Sequence, residues 1–134
     1  MYKYLILFFL LILPFESYAD DDSISQFVYG YLKRINDFID DEKFEDAQRE
    51  LDIFVRRYFV NEQSYERALI NQLYGNFWAI QGEYEKAIPW YEKSLKFKKM
   101  PLVTGLQVRV GLSQCYFQTS NYSKTIEILE QYKT

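Results

Sequence analysis

Apolar residues recur at intervals of three and four positions from residue 24 onwards, the spacing that places side chains on one face of a helix. Six such stretches follow one another, and no stretch alternates with a period of two. Short polar segments, among them DDEK, NEQS, QGE and TSN, separate them. The pattern therefore predicts an all-α protein of six helices, paired as three antiparallel hairpins at about residues 25–59, 62–99 and 102–134.

The three predicted hairpins repeat one another. Aligned on the aromatic residue after each turn, they share an aromatic residue six positions earlier, a small residue three positions later and a large apolar residue seven positions later. In that order, the aligned sets are Phe44, Tyr84 and Tyr122; Phe38, Trp78 and Tyr116; Ala47, Ala87 and Thr125; and Leu51, Tyr91 and Leu129. The small residue allows close approach of two helices, and the rings fill the space beside it. Neighbouring hairpins are therefore expected to bury one continuous core.

The N-terminus has a different pattern. One lysine precedes an apolar run from Tyr4 to Leu13, Pro14 ends that run, and the triplet Ser17-Tyr18-Ala19 has small residues where signal peptidase needs them. The run is about half the roughly 20 residues that a membrane-spanning helix requires. We expect a signal peptide cleaved after Ala19, with an uncleaved anchor or a buried helix as alternatives.

Cleavage at that point divides the chain into three parts and sets its location. The expected parts are a signal peptide at residues 1–19, an acidic leader at 20–24 and a helical repeat domain at 25–134. The protein would be periplasmic or secreted, with no membrane span after cleavage.

Composition removes several classes of function. Apolar residues make up 49% of the chain and aromatic residues 19%, which is ample material for a core. The net charge of −3 argues against a nucleic-acid partner, which calls for a basic face. The sequence has no histidine and one cysteine, so the commonest general base and the usual zinc ligands are missing. We expect no cofactor, no metal site and no catalytic residues.

The second hairpin resembles the tetratricopeptide repeat family. Its segment LYGNFWAIQGEYEKAIPWYEKSL contains the family's Tyr-Gly pair, the aromatic residue, the Gly-x-Tyr turn, the alanine and the second aromatic residue. The third copy departs from the family at Ser120 and Thr125, and the first at Ile35 and Glu42. The resemblance covers about residues 25–134 and implies three hairpins stacked as an α-solenoid. The offsets of 40 and 38 residues exceed the family's repeat of about 34, so the connections are longer.

A narrower resemblance is carried by two segments, SYERALINQLYGNFWAIQGEYEKAIPWYEKSL and MPLVTGLQVRVGLSQCYF. They are similar to the periplasmic tetratricopeptide proteins found beside TonB–ExbB–ExbD systems, which share the Ser-Tyr-Glu start, the proline-led connection and the export signal. The resemblance implies an accessory of TonB-dependent transport. The expected function is a non-catalytic scaffold for protein–protein interaction. The alternatives are an envelope assembly or secretion subunit, or an accessory domain of an enzyme, which buried and unpaired carboxylates would favour.

The resemblance also implies a binding surface, because the first helix of each hairpin lines the concave face in this family. Asn36, Asn76 and Gln114 stand eight residues before the three aligned aromatic residues and lie off the apolar stripe. Gln72 and Gln107 are expected nearby. Amides can both donate to and accept from the backbone of an extended peptide, so these five residues are the predicted partner-binding groove. The alternative is that they are ordinary exposed polar residues.

Three other groups have chemical alternatives. Acidic residues cluster around the first turn, where a solvated turn is favoured over a calcium site because the spacing is not that of an EF-hand. Lys93, Lys96, Lys98 and Lys99 complement the dipole of a helix C-terminus, with a partner site as the alternative. Cys115 is expected to be a small buried side chain.

The last predicted helix carries apolar residues with no further hairpin to cover them: Ile126, Ile128, Leu129 and Tyr132. Repeat arrays need a terminal unit with a polar outer face. We therefore expect a bare apolar face here. Either the chain is part of a longer array, which we favour, or this face meets a partner or a second copy of the chain.

Overall fold

The computed structural model describes residues 26–57, 61 and 63–131. The expected signal peptide and acidic leader lie outside the described residues, and so does Tyr132. Among the described residues no helix is both long enough and apolar enough to cross a membrane.

Six α-helices make up the described part of the chain, which contains no strand. The all-α class and the number of helices are therefore confirmed there. The helices are α1 (Gln26–Asp40), α2 (Phe44–Arg57), α3 (Tyr65–Ile80), α4 (Tyr84–Leu95), α5 (Leu102–Gln118) and α6 (Tyr122–Glu130). They form a first hairpin of α1 and α2, a second of α3 and α4, and a third of α5 and α6.

The turn inside each hairpin has the same backbone geometry in all three. One turn residue takes a left-handed φ: 58° at Glu42, 80° at Gly82 and 63° at Ser120. The next N–H then closes the turn on the carbonyl of the preceding aromatic residue: Lys43 to Phe38 at 2.8 Å, Glu83 to Trp78 at 3.0 Å and Asn121 to Tyr116 at 2.8 Å. These bonds satisfy carbonyls that a helix end leaves unpaired. The repeat seen in the side-chain pattern is therefore also a repeat of backbone structure.

Local sequence explains where the helices begin and end. The hydroxyl of Ser64 accepts from the N–H of Arg67 at 3.1 Å and caps α3. The side chain of Asn121 caps α6 in the same way. Helix α4 continues through Pro89 and ends at Leu95, before the proline-led connection.

The hairpins pack in chain order. Besides the two helices of each hairpin, α2 contacts α3 and α4 contacts α5, while the first helices are also in contact, α1 with α3 and α3 with α5. Helix α3 is therefore covered on most sides, and most of its residues are buried.

The second hairpin depends on one close approach. Ala47 and Ala87, the predicted contact points of α2 and α4, are fully buried. The ring of Tyr91 lies so near α3 that a Cβ atom added at Gly75 would stand 2.6 Å from it, and one added at Gly111 on α5 would stand 3.0 Å from it. Tyr91 therefore occupies space that two glycines leave free, one in its own hairpin and one in the next.

Candidate functional site

The five predicted groove residues do not form one exposed row. Asn36 is only 8% exposed, and its amide donates to Oδ2 of Asp40 at 3.1 Å. Asn76 turns towards α4, where its Oδ1 accepts from the hydroxyl of Tyr91 at 2.6 Å. Both amides therefore serve hydrogen bonds within the protein, contrary to their expected position off the packed face.

The remaining three amides lie on α3 and α5. Nε2 of Gln72 donates to Oε1 of Gln107 at 3.4 Å, and both side chains are buried. Nearby, the hydroxyls of Tyr65 and Thr104 share a hydrogen bond of 2.9 Å between the same two helices. Oε1 of Gln114 is buried and has no hydrogen-bond partner among the described residues. The structure thus brings Gln72 and Gln107 together and uses them to join adjacent first helices.

Changing Asn76 should therefore lower the stability of the protein. The Tyr91 side chain is fully buried, and its hydroxyl donates to Oδ1 of Asn76. Burial raises the pKa of this phenol well above its usual value, so it remains a neutral donor. Removing the acceptor leaves a buried donor unpaired, which costs about 1–3 kcal/mol.

A different site lies between the start of α3 and the end of α4. This basic groove has a volume of about 860 Å³. It is lined by Gln63, Arg67, Ala68, Asn71, Lys93, Lys96, Phe97, Lys98 and Lys99. One wall is formed by the ring of Phe97, which stacks on Tyr65 with centroids 5.7 Å apart. The lysine cluster therefore faces a concavity.

The cations of the basic groove form no ion pair with any carboxylate in the described part of the chain. Six ion pairs occur among the described residues, and all six use cations elsewhere in the chain. No carboxylate of the described residues lines the groove. Lys93 lies over the ring of Trp90, with its Nζ 4.6 Å from the centroid. Because five positive charges stand close together without neutralisation, this surface attracts anions.

Asn71 adds a second feature to the wall of the groove. Its side chain is 5% exposed, and its Oδ1 has no hydrogen-bond partner within the described part of the chain. Unpaired buried acceptors are uncommon, because each one loses its bond to water without a replacement. Across α4, the hydroxyl of Ser94 donates to the carbonyl of Ala68 at 2.8 Å. The groove is therefore lined by a buried polar side chain as well as by charged ones.

The first hairpin shows how such a groove is closed. A shift of 40 residues places Phe27, Tyr31 and Phe54 where the second hairpin has Arg67, Asn71 and Ser94. Tyr31 contacts both other rings, with centroids 6.1 Å from Phe27 and 4.7 Å from Phe54. Continuing the repeat alignment to these positions would have shown the exchange. The sequence interpretation missed it because it followed only the columns that repeat.

The third hairpin exposes an apolar surface, as expected. This terminal apolar face consists of Phe117, Tyr122, Ile126 and Leu129, which are between 43% and 57% exposed. The first two rings meet edge to face with centroids 5.5 Å apart. Ile128 is buried, in contrast to its predicted place in this face.

Other titratable groups have structural surroundings. Cys115 is fully buried, as predicted, and burial raises the pKa of its thiol to about 12, so it remains unreactive at neutral pH. The hydroxyl of Tyr116 donates to Glu92 across α4 and α5, and burial followed by that bond raises its pKa. No group of three acidic or cysteine side chains among the described residues has metal-binding geometry.

Comparison with protein-family models finds no matching family, and comparisons with curated proteins and with solved structures find no match either.

Proposed function

We propose that this chain is a non-catalytic tetratricopeptide-type scaffold that is exported to the periplasm and binds a protein or an extended peptide. The observation that carries the proposal is the turn that recurs in all three hairpins, with its left-handed residue and its bond back to the aromatic carbonyl. Packing of the hairpins in chain order supports stacking as an α-solenoid. Such arrays act through extended surfaces.

A scaffold role also suits the chemistry of the described residues. Their carboxylates are all at least partly exposed. The groups whose pKa values are raised most are tyrosines and a cysteine that are held neutral by burial. None of these groups is poised to transfer a proton near neutral pH.

Two surfaces are proposed to contact partners. The first is the face of the first helices around Gln114, which is half-buried. The other residues predicted there, Asn36, Gln72, Asn76 and Gln107, form hydrogen bonds within the protein. The second is the terminal apolar face, which is available for a partner or for self-association. The narrower proposal, an accessory role in TonB-dependent transport, rests on the similarity of the second hairpin and the following connection to periplasmic tetratricopeptide proteins.

Capture from gram-negative envelope extracts tests this function. The purified protein is cross-linked to the extract and its partners are identified. A Gln114→Leu variant should capture less partner at an unchanged or higher melting temperature, because the buried Oε1 of Gln114 has no hydrogen bond to lose among the described residues. Asn76→Ala is the contrasting variant, since it should also lower the melting temperature. Failure of the unaltered protein to retain any envelope protein would contradict the scaffold proposal, and partners without a TonB-system component would contradict the narrower one.

A further inference from the structure

Among the described residues, the basic groove combines unpaired positive charges with an unpaired hydrogen-bond acceptor. Its five cations have no carboxylate bound to them in the described part of the chain. The buried Oδ1 of Asn71, on the same wall, receives no hydrogen bond from those residues. The cations call for negative charge, and the amide oxygen calls for an N–H or O–H donor. A fitting ligand supplies both groups side by side.

The four lysines of the basic groove differ from other lysines of the chain in having no hydrogen-bond or ion-pair partner for their amino groups among the described residues. In the described part of the chain, the side-chain amino groups of Lys93, Lys96, Lys98 and Lys99 donate no hydrogen bond to a carbonyl and form no ion pair. Those of Lys33, Lys43, Lys86 and Lys124 each pair with a carboxylate. The chain as a whole has a net charge of −3. Five neighbouring cations without a carboxylate are therefore a local departure from the rest of the surface, and their mutual repulsion falls when an anion binds.

The size and the donor requirement of the groove favour a peptide. A volume of about 860 Å³ is far larger than one phosphate or carboxylate group needs. An extended peptide segment offers backbone N–H groups beside its side-chain carboxylates. A phosphate diester offers acceptors alone and leaves Asn71 without a donor.

We infer that the basic groove binds an acidic segment of a partner protein, rich in aspartate or glutamate. Its carboxylates lie against Arg67, Lys96 and Lys99, and a backbone N–H donates to Oδ1 of Asn71. The inference deepens the proposed function and rests on it, since it states the chemistry of the partner's segment.

Fluorescence anisotropy with a labelled aspartate-rich peptide, blocked at both ends, tests the inference. The purified protein should bind it at one saturable site and more weakly as salt rises. Lys96→Glu/Lys99→Glu should weaken binding by about tenfold or more. The matched control is Lys43→Glu/Lys124→Glu, which makes the same change in net charge on exposed lysines elsewhere and should weaken binding by less than about twofold.

The Asn71→Leu variant tests the amide separately, because it keeps every cation and nearly the same side-chain size. Peptide binding should fall by about threefold or more, the usual effect of one hydrogen bond, while the weak binding of sulfate, which carries no donor, stays unchanged. Circular dichroism and thermal unfolding establish that each variant is folded.

Three results would overturn the inference. The first is equal loss of peptide binding in the two double-lysine variants, which would indicate non-specific attraction. The second is tighter binding of inorganic phosphate or of anionic phospholipid vesicles than of the peptide. The third is unchanged peptide binding in Asn71→Leu.

Capture from envelope extracts distinguishes failure of the acidic-segment inference from failure of the proposed scaffold function. If Lys96→Glu/Lys99→Glu captures the same partners as the unaltered protein, the groove assignment fails and the scaffold function stands. If the acidic peptide binds as expected but no envelope protein is captured, the scaffold function fails on its own test.

Discussion

The first and second hairpins share a backbone and differ in what fills the space between their helices far from the turn. In the first hairpin Phe27, Tyr31 and Phe54 close that end, and Phe54 is fully buried. In the second, the same positions hold Arg67, Asn71 and Ser94, and the basic groove lies there. The comparison shows that a repeat can keep its turn geometry while one unit exchanges packing for a polar concavity.

Nearer the turn, it is the second hairpin that has the large aromatic side chain between its helices. The first hairpin has Ile35 and Leu51, both fully buried, at the positions where the second has Gly75 and Tyr91. A large ring on α4 thus meets a glycine on α3, and α3 and α4 approach closely around it. The second hairpin gains packing in the middle that it lacks at its far end.

Copying the second hairpin into the first should have the largest effect. Phe54→Ser removes a fully buried ring from the closed end and should lower the free energy of unfolding by about 3–5 kcal/mol. Urea unfolding measures it. Phe27→Arg is the control, because Phe27 is 54% exposed and should cost less than about 1 kcal/mol. A loss below about 1 kcal/mol in Phe54→Ser would mean that the ring cluster does not hold the first hairpin together.

Gly75→Ala should have the next largest effect, because its Cβ would stand 2.6 Å from the Tyr91 ring. Such overpacking costs about 1–3 kcal/mol, measured by the same urea titration. The control in the first hairpin is Gly30→Ala, at a different repeat position, where nothing lies within 4 Å of the added Cβ. That variant should be more stable by about 0.5–1 kcal/mol, since alanine favours a helix. The same sign for both variants would remove the close-approach explanation.

The shared turn leads to a smaller, symmetrical prediction. Glu42 and Ser120 adopt the left-handed φ that Gly82 adopts without strain. Glu42→Gly and Ser120→Gly should each leave stability unchanged or raise it by up to about 1 kcal/mol, whereas Gly82→Ala should lower it by about 1 kcal/mol. Thermal unfolding measures all three. Clear destabilisation by either glycine variant would show that the turns are not equivalent.

The smallest expected effect concerns Asp40, which stands in the first hairpin where the second has Ile80. Partial desolvation, with the neighbouring charges of Asp37 and Asp41, raises its pKa to about 6. The folded state therefore holds this proton more tightly than the unfolded state, and the contribution to stability is lost as pH rises from about 4 to about 6.

Asp40→Asn should thus be more stable than the unaltered protein at pH 7, by less than about 1 kcal/mol because the carboxyl group is largely exposed. The difference should shrink as pH falls towards 4. Melting temperatures across this range measure it, and a difference independent of pH would assign the effect to something other than ionisation.

The sequence predicts the fold better than the site, for a physical reason. Helix periodicity, the turn aromatic residues and the contacts at Ala47 and Ala87 are local or repeated signals. The partners of Asn76 and Asn36 depend on which way each side chain points, and spacing alone placed both on an exposed face. Asn71 was missed because the lysines that share the groove with it lie on the other helix of the hairpin or just after it, so only the folded chain brings them together.

Chemical-shift mapping by NMR with the blocked acidic peptide tests the central claim most directly. The account predicts that the side-chain amide of Asn71 and the backbone amides of Lys96 and Phe97 shift on titration. The closed end of the first hairpin, around Tyr31 and Phe54, should not respond. Shifts confined to the first hairpin or to the face around Gln72 and Gln107, with none in the basic groove, would contradict the account.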